Sequence, residues 1–132
     1  SGKKRRGVFL QVVHPQELID KNQYGESYKL LGHANYKLTY NTKKRGVYSF
    51  CMCPGGYVVN ASSEKNRLVV NGMSNYNRDS GYSNSAIITT TTKEDFGEGI
   101  FDGMRFQEYL EEKSYELVDD FCHFFFYKGS AV

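Results

Sequence analysis

The stretch Tyr48-Ser49-Phe50-Cys51-Met52-Cys53-Pro54-Gly55-Gly56-Tyr57-Val58-Val59-Asn60-Ala61-Ser62-Ser63 holds the sharpest change of character in the chain. Alternating aromatic and small side chains describe a strand, a proline and two glycines interrupt it, and a second apolar run follows. Residues two apart in an extended chain face the same way, so Cys51 and Cys53 point to one side and Phe50 and Met52 to the other. Pro54 removes a ladder donor and ends the strand, while Gly55 and Gly56 free the backbone to take positive φ or to let another group come close. The two thiols thus stand at the mouth of a turn that suits a backbone touching a flat or charged ligand.

Upstream, Tyr36-Lys37-Leu38-Thr39-Tyr40 alternates as a half-buried strand does, and Asn41 to Gly46 supplies a polar hairpin turn. An antiparallel pair therefore delivers the cysteine turn to one edge. Val8 to Val13 has the β-branched and aromatic content of another strand. It stops at His14-Pro15, where Pro15 is placed as the first residue of a short helix through Lys21 that Gly25 terminates. His14 reads as a cap of that helix or a plain surface residue rather than a ligand contact. Downstream, Val58-Val59 and Arg67 to Asn71 form a second hairpin around Glu64-Lys65-Asn66, giving one sheet of strands in sequence order.

Asn71 to Ser85 is rich in amide, hydroxyl and glycine groups, a composition of turns, and reads as a long loop that serves either as plain surface or for binding. Arg78 is its one fixed cationic fork, suited to a carboxylate or phosphate, with Asp79 beside it as a neutralising neighbour. Ala86 to Thr92 is strongly β-prone and is expected at the centre of the sheet, with Ile87 and Ile88 buried on opposite sides. Gly97-Glu98-Gly99-Ile100-Phe101-Asp102-Gly103 is not a dinucleotide fingerprint, because its third glycine falls one residue late and Lys93 to Phe96 is no buried strand. Asp102 caps a long helix to about Leu117, whose stripe of Phe106, Tyr109, Leu110, Lys113 and Leu117 is expected against the sheet, with Arg105, Glu108, Glu111 and Glu112 in water. The closing run Phe121 to Tyr127 is too apolar for solvent and reads as a last strand or an adhesive segment.

A chain of 132 residues is one domain by length. The formal charge of +2 argues against a nucleic-acid partner, although Lys3-Lys4-Arg5-Arg6 concentrates charge at one end. No apolar run approaches the roughly 20 residues of a membrane span and no charged-then-apolar leader is present, so a cytoplasmic protein with no membrane contact is expected. Three cysteines fit a reducing compartment. Ser1-Gly2 without an initiator methionine reads as a pair left by tag removal, hence an excised piece. Cys51, Cys53, Cys122, His14, His33 and His123 form no zinc pattern, because a lone C-x-C lacks a matching second pair. A redox dithiol is disfavoured by the strand setting, and no catalytic triad, paired catalytic carboxylates or phosphate loop is apparent.

Gly46 to Gly56, then Val58 to Ser63, then Asn71-Gly72-Met73-Ser74, resemble the middle region of a family of predicted FAD-dependent dehydrogenases found mainly in bacteria. His14 to Asp20 and Asn84-Ser85-Ala86 are similar to other parts of that region, so the likeness runs from about His14 to Leu117. After that the chain departs from the glycine-rich continuation the family would show. The resemblance implies the substrate domain of a two-part flavoprotein, inserted between the start and the end of the FAD-binding domain of the same parent chain and covering the FAD held there. It implies FAD in the full-length protein only, a small-molecule substrate, and no catalysis by this piece alone. On that basis Cys51, Cys53, Gly55, Gly56, Asn71, Asn84 and Ser85 are candidates for the flavin side, and Arg78 for the substrate. The rival reading is a stand-alone module binding a protein or nucleic-acid partner. The fold expected is α+β, a mainly antiparallel sheet of about five to seven strands with one long and one short helix packed on it.

Overall fold

The computed structural model describes residues 6–125. Lys3, Lys4 and Arg5 of the basic run, and Phe126 and Tyr127 of the closing aromatic run, lie outside the described residues. The fold is α+β with antiparallel pairing, and the chain divides into two compact units, Ser1–Val59 with Asn71–Thr92, and Asn60–Val70 with Lys93–Val132.

The first unit is built on four strands, β1 (Arg6–Pro15), β2 (Thr39–Asn41), β3 (Gly46–Cys53) and β6 (Tyr82–Thr91). Their spatial order is β1-β6-β3-β2, so β6 is central, as its β-branched run predicts. Phe9 and Tyr48 both stand opposite Ile88, and Gln11 and Phe50 both stand opposite Ala86. Paired residues share a face, so these form two adjacent rows on one side of the sheet. The β2–β3 hairpin is present, although β2 is shorter than the alternation of Tyr36 to Tyr40 suggests.

Pro15 is the N-cap of α1 (Gln16–Tyr24), not its first residue: with ψ at 134° it still belongs to the extended chain. Gly25 takes φ 57° and its N–H closes the helix on the Lys21 carbonyl, after which a 3-10 helix runs over Gly25–Leu30.

Two sequence expectations fail at the cysteine turn. The strands do not form one sheet in chain order: β4 (Gly56–Asn60) and β5 (Val70–Ser74) pair in a separate two-stranded ribbon. The register of β3 on β6 shifts between Phe50 and Cys53, where Cys51 adopts φ 49°, but Cys53 still pairs with Asn84, and the chain leaves the first sheet only after it, at the turn of Pro54 and Gly55. The second failure is the long loop of Asn71 to Ser85. Its first part is β5 and its last part opens β6, leaving only the turn from Asn75 to Gly81 between them.

The interior of the described residues is polar. The only buried hydrophobic side chains are Ala34 and Ala86, whereas Gln16, Asp20, Ser49, Ser83, Asn84, Ser85 and Thr91 are all buried. Ile87 and Ile88 are half-buried, short of the full burial expected of them.

In the second unit a short helix α2 (Lys93–Phe96) precedes α3 (Asp102–Phe125). Asp102 is the first helical residue, and its carboxylate accepts the Gly99 N–H of the preceding turn at 2.7 Å instead of capping a helical N–H. The half-buried stripe of α3 is Phe106, Leu110, Ser114 and Val118, spaced by four, while Tyr109 and Leu117 are exposed. Glu108 and Glu111 are half-buried instead of facing water, because Arg67 pairs with Glu64, Glu108 and Glu112, and the Leu68 N–H bonds the Glu111 carbonyl oxygen. Phe121 to Phe125 continue this helix and form no strand.

Candidate functional site

The bend at Cys51 to Gly56 is fixed by groups from distant parts of the sequence. Gln16, at the start of α1, is buried and accepts the Gly55 N–H at 2.9 Å through Oε1. Its amide nitrogen donates to Asp20 Oδ1 at 2.7 Å and to the Ala34 carbonyl at 3.0 Å. Asp20 also accepts the Ala34 N–H at 2.7 Å, and its other oxygen lies 3.3 Å from His33 Nδ1. Burial pushes the Asp20 carboxyl up, but the bonds from Ala34, Gln16 and His33 outweigh it and hold it below the ordinary carboxylate range.

Gly55 and Gly56 are buried, and the close approach they permit is made by the protein's own backbone. Gly55 has φ 56°, and a Cβ there would lie 1.8 Å from the Arg78 carbonyl oxygen. A Cβ on Gly56 would lie 2.2 Å from the Met73 carbonyl oxygen. Ser74 Oγ donates to the Pro54 carbonyl at 3.0 Å and Ser80 Oγ to that of Gly56 at 2.8 Å, which ties β5 and the following turn against the bend.

Asn84 and Ser85 have no exposed surface. The Asn84 amide donates to the Tyr57 carbonyl at 3.1 Å and its oxygen accepts from Gln11 at 2.7 Å, joining β6, β4 and β1. Ser85 Oγ lies 3.3 Å from the carbonyls of Phe50 and Ala86. These side chains are engaged within the fold.

Cys51, Asn71 and Arg78 are exposed. Cys53 is half-buried, its thiol donating to the Cys51 carbonyl at 3.2 Å; burial first, and then the neighbouring Cys51 thiol, push its pKa up. Arg78 adopts φ 52° in the turn, and its guanidinium pairs with no carboxylate among the described residues. Asp79 does not neutralise it, since Asp79 accepts the Asn75 amide at 2.7 Å. The bend and the following turn therefore come together through Gly55 and Arg78, while Asn84 and Ser85 stand behind them in the sheet.

His14 is neither a helix cap nor plain surface. It is half-buried, with Nδ1 2.7 Å from the Ser83 hydroxyl and Nε2 2.8 Å from that of Tyr36. Tyr36 lines an open depression of about 300 Å³ that also takes in Asn35, Lys37, Ser49, Phe50, Cys51 and Met52. Gln16, Tyr36 and Ser83 carry no motif that would single them out. The one usable signal is the register that sets His14 against Ser83, visible only once β1 and β6 are paired.

The sequence matches, over residues 7–124, the family described as "FAD-dependent protein, C-terminal domain-like". A protein of Clostridium beijerinckii (strain ATCC 51743 / NCIMB 8052), described as an uncharacterized protein, is 49% identical over 119 residues, a match covering 86% of this chain and 22% of that relative. The chain thus spans less than a quarter of the length of the relative it resembles. With nearly all of the described residues inside the match, the chain belongs to the family of FAD-dependent proteins, C-terminal domain-like.

Proposed function

We propose that the chain is the substrate-side domain of a larger bacterial FAD-dependent oxidoreductase, a dehydrogenase, which covers the flavin and positions a small-molecule substrate and turns nothing over by itself. The observation that carries this reading is the apolar surface left uncovered beside the cysteine bend. Phe9, Val13 and Phe50 lie on one face of the four-stranded sheet with exposures of 45%, 53% and 55%, and Tyr48 stands in the same row as Phe9, next to the row of Phe50. An apolar face of this kind marks a surface that another part of a protein covers. The family match and the short share of the relative's length support taking that part to be an FAD-binding domain of the same parent chain.

FAD needs a cradle for its pyrophosphate, ordinarily backbone N–H groups at a glycine-rich helix start. The described residues do not fit that role: Gly55 and Gly56 are covered by the backbone of Arg78 and Met73, and α1 opens on Gln16, which is buried in its own network. The dinucleotide is accordingly assigned to the rest of the parent chain, and this domain to one wall of the site. On that wall Cys51, Cys53 and Asn71 face the flavin side and Arg78 holds an anionic group of the substrate. Gly55, Gly56, Asn84 and Ser85 keep the bend that presents them. No described helix is long and apolar enough to cross a membrane, and the setting proposed is cytoplasmic.

The test is a full-length parent protein purified with its cofactor and compared with this chain alone by deuterium exchange. The parent is expected to be yellow, with β1, β3 and the bend protected relative to the isolated chain, which is expected to oxidise no substrate. A structure of the parent with FAD on a face remote from residues 48–56 and 71–85 overturns the assignment.

A further inference from the structure

His14 is held at both ring nitrogens, and the bonds select its tautomer. Ser83 has no exposed surface, and its hydroxyl has no partner but His14 Nδ1 among the described residues. A proton on Nδ1 would be donated to Ser83 and leave the buried Ser83 proton without an acceptor, which folded proteins avoid. Ser83 therefore donates to Nδ1, the neutral ring carries its proton on Nε2, and Nε2–H donates to the Tyr36 oxygen 2.8 Å away. With that oxygen accepting from His14, the Tyr36 proton is left for another acceptor. Tyr36 is half-buried and lines the depression of about 300 Å³. The residues around this hollow include a lysine and no carboxylate, with Met52 among the apolar ones.

We propose that this depression binds a small carboxylate with a flat apolar body. Tyr36 donates its hydroxyl proton in a hydrogen bond to a carboxylate oxygen, Lys37 supplies the opposite charge, and Met52 covers the apolar part. His14 and Ser83 are positioning residues that turn the Tyr36 donor away from the sheet. The inference deepens the function proposed above by naming the substrate class, with Tyr36 and Lys37 holding this carboxylate in addition to the anionic group given to Arg78, and rests on it only in taking the bound carboxylate to be the substrate.

The experiment uses the full 132-residue chain, nitrogen-labelled, with benzoate as the probe and no flavin present. His14 is expected as the neutral tautomer protonated on Nε2. Benzoate is expected to shift the amides of residues 35–37 and 49–52 saturably. Tyr36→Phe, which keeps the ring and removes the donor, is expected to weaken benzoate about tenfold with the rest of the spectrum unchanged, because a hydrogen bond to a charge is lost. Lys37→Gln, at an exposed position, is expected to weaken it about threefold. A His14 proton on Nδ1, saturable shifts elsewhere or none at all, or equal affinity of Tyr36→Phe and the wild type overturns the proposal. The hollow shares Cys51 with the flavin wall, but the two readings fail separately: loss of benzoate binding leaves the flavin assignment standing, and a parent protein with its flavin elsewhere leaves the benzoate result standing.

Discussion

Replacing Gly55 by alanine tests whether the bend is held by the protein's own backbone. Two penalties add. The φ of 56° is a conformation that costs an L-residue about 1–2 kcal/mol. The new methyl would also stand 1.8 Å from the Arg78 carbonyl oxygen, where real contacts stay beyond 3.0 Å, so the backbone must move by more than the reach of a hydrogen bond's tolerance. The bond from the Gly55 N–H to Gln16 then breaks, leaving a buried donor unsatisfied at about 1–3 kcal/mol. The sum, about 2–5 kcal/mol, is a large part of the stability of an ordinary domain. Two companions separate the contributions. Gly81→Ala has φ 76° with nothing near its Cβ and is expected to show the conformational cost alone. Gly56→Ala meets the Met73 carbonyl oxygen at 2.2 Å without a positive φ, so it shows the contact cost alone, about 1–3 kcal/mol. Urea titrations followed by circular dichroism, suited to a chain without tryptophan, measure all three. The expected order of damage is Gly55, then Gly56, then Gly81. A Gly55→Ala no worse than Gly81→Ala means that the space over the bend is open, and the account of the buried glycines is wrong.

Three further outcomes follow from the same geometry. Asp20 has its carboxyl held below the ordinary range, so its contribution to stability is present above the unfolded value, about pH 4, and is lost as pH falls through the folded value; Asp20→Asn is expected to lower the urea midpoint at neutral pH and to flatten its acid limb. Asn84→Asp keeps the shape but removes the donor to the Tyr57 carbonyl and buries a carboxylate, so a loss of several kcal/mol is expected that grows as pH rises above the carboxylate range; a pH-independent loss contradicts this. Exposed Cys51 is expected to be alkylated before Cys53, whose burial disfavours its thiolate, and mass spectrometry of partially labelled chain reads the order; equal rates in the folded chain count against the burial of Cys53.

Much of the first unit is legible in the sequence because its signals are local. Alternation marks β3, proline and Gly25 bound α1, and β-branched density marks β6 as central. The two sheets are not legible, because a proline-glycine turn marks the end of β3 without saying whether the next strand returns to the same sheet, and β4 pairs with β5 instead. Asn71 to Ser85 reads as a loop for a related reason. Small polar residues signal turns when exposed, but here Ser83, Asn84 and Ser85 sit where strands pack too closely for anything larger. The stripe of α3 is misjudged because exposed aromatics such as Tyr109 fit the helical period as well as the half-buried residues do. The glycines of the bend show the limit most clearly. A backbone opened for a ligand and a backbone opened for another strand need the same residue, and only the partner tells them apart.

That partner also explains why the interior is polar. A bend with Arg78 and Met73 backbone against its glycines has no room for apolar side chains, so its buried donors and acceptors must be satisfied by Gln16, Asp20, Asn84 and the serines around them. Such bonds contribute only about 0.5–1.5 kcal/mol each to net stability, but leaving any one unmade costs more, so the network specifies geometry better than it stabilises the fold. Apolar burial is what ordinarily stabilises a domain, and in this unit it is incomplete: Ile87 and Ile88 are half-buried, and Phe9, Val13 and Phe50 are exposed. Shape and stability are thus provided by different surfaces. The polar bend fixes where Cys51 and Arg78 stand, and under the function proposed above the apolar sheet face beside it is where an FAD-binding domain would add further burial, the division of labour expected of a wall that closes a site held elsewhere.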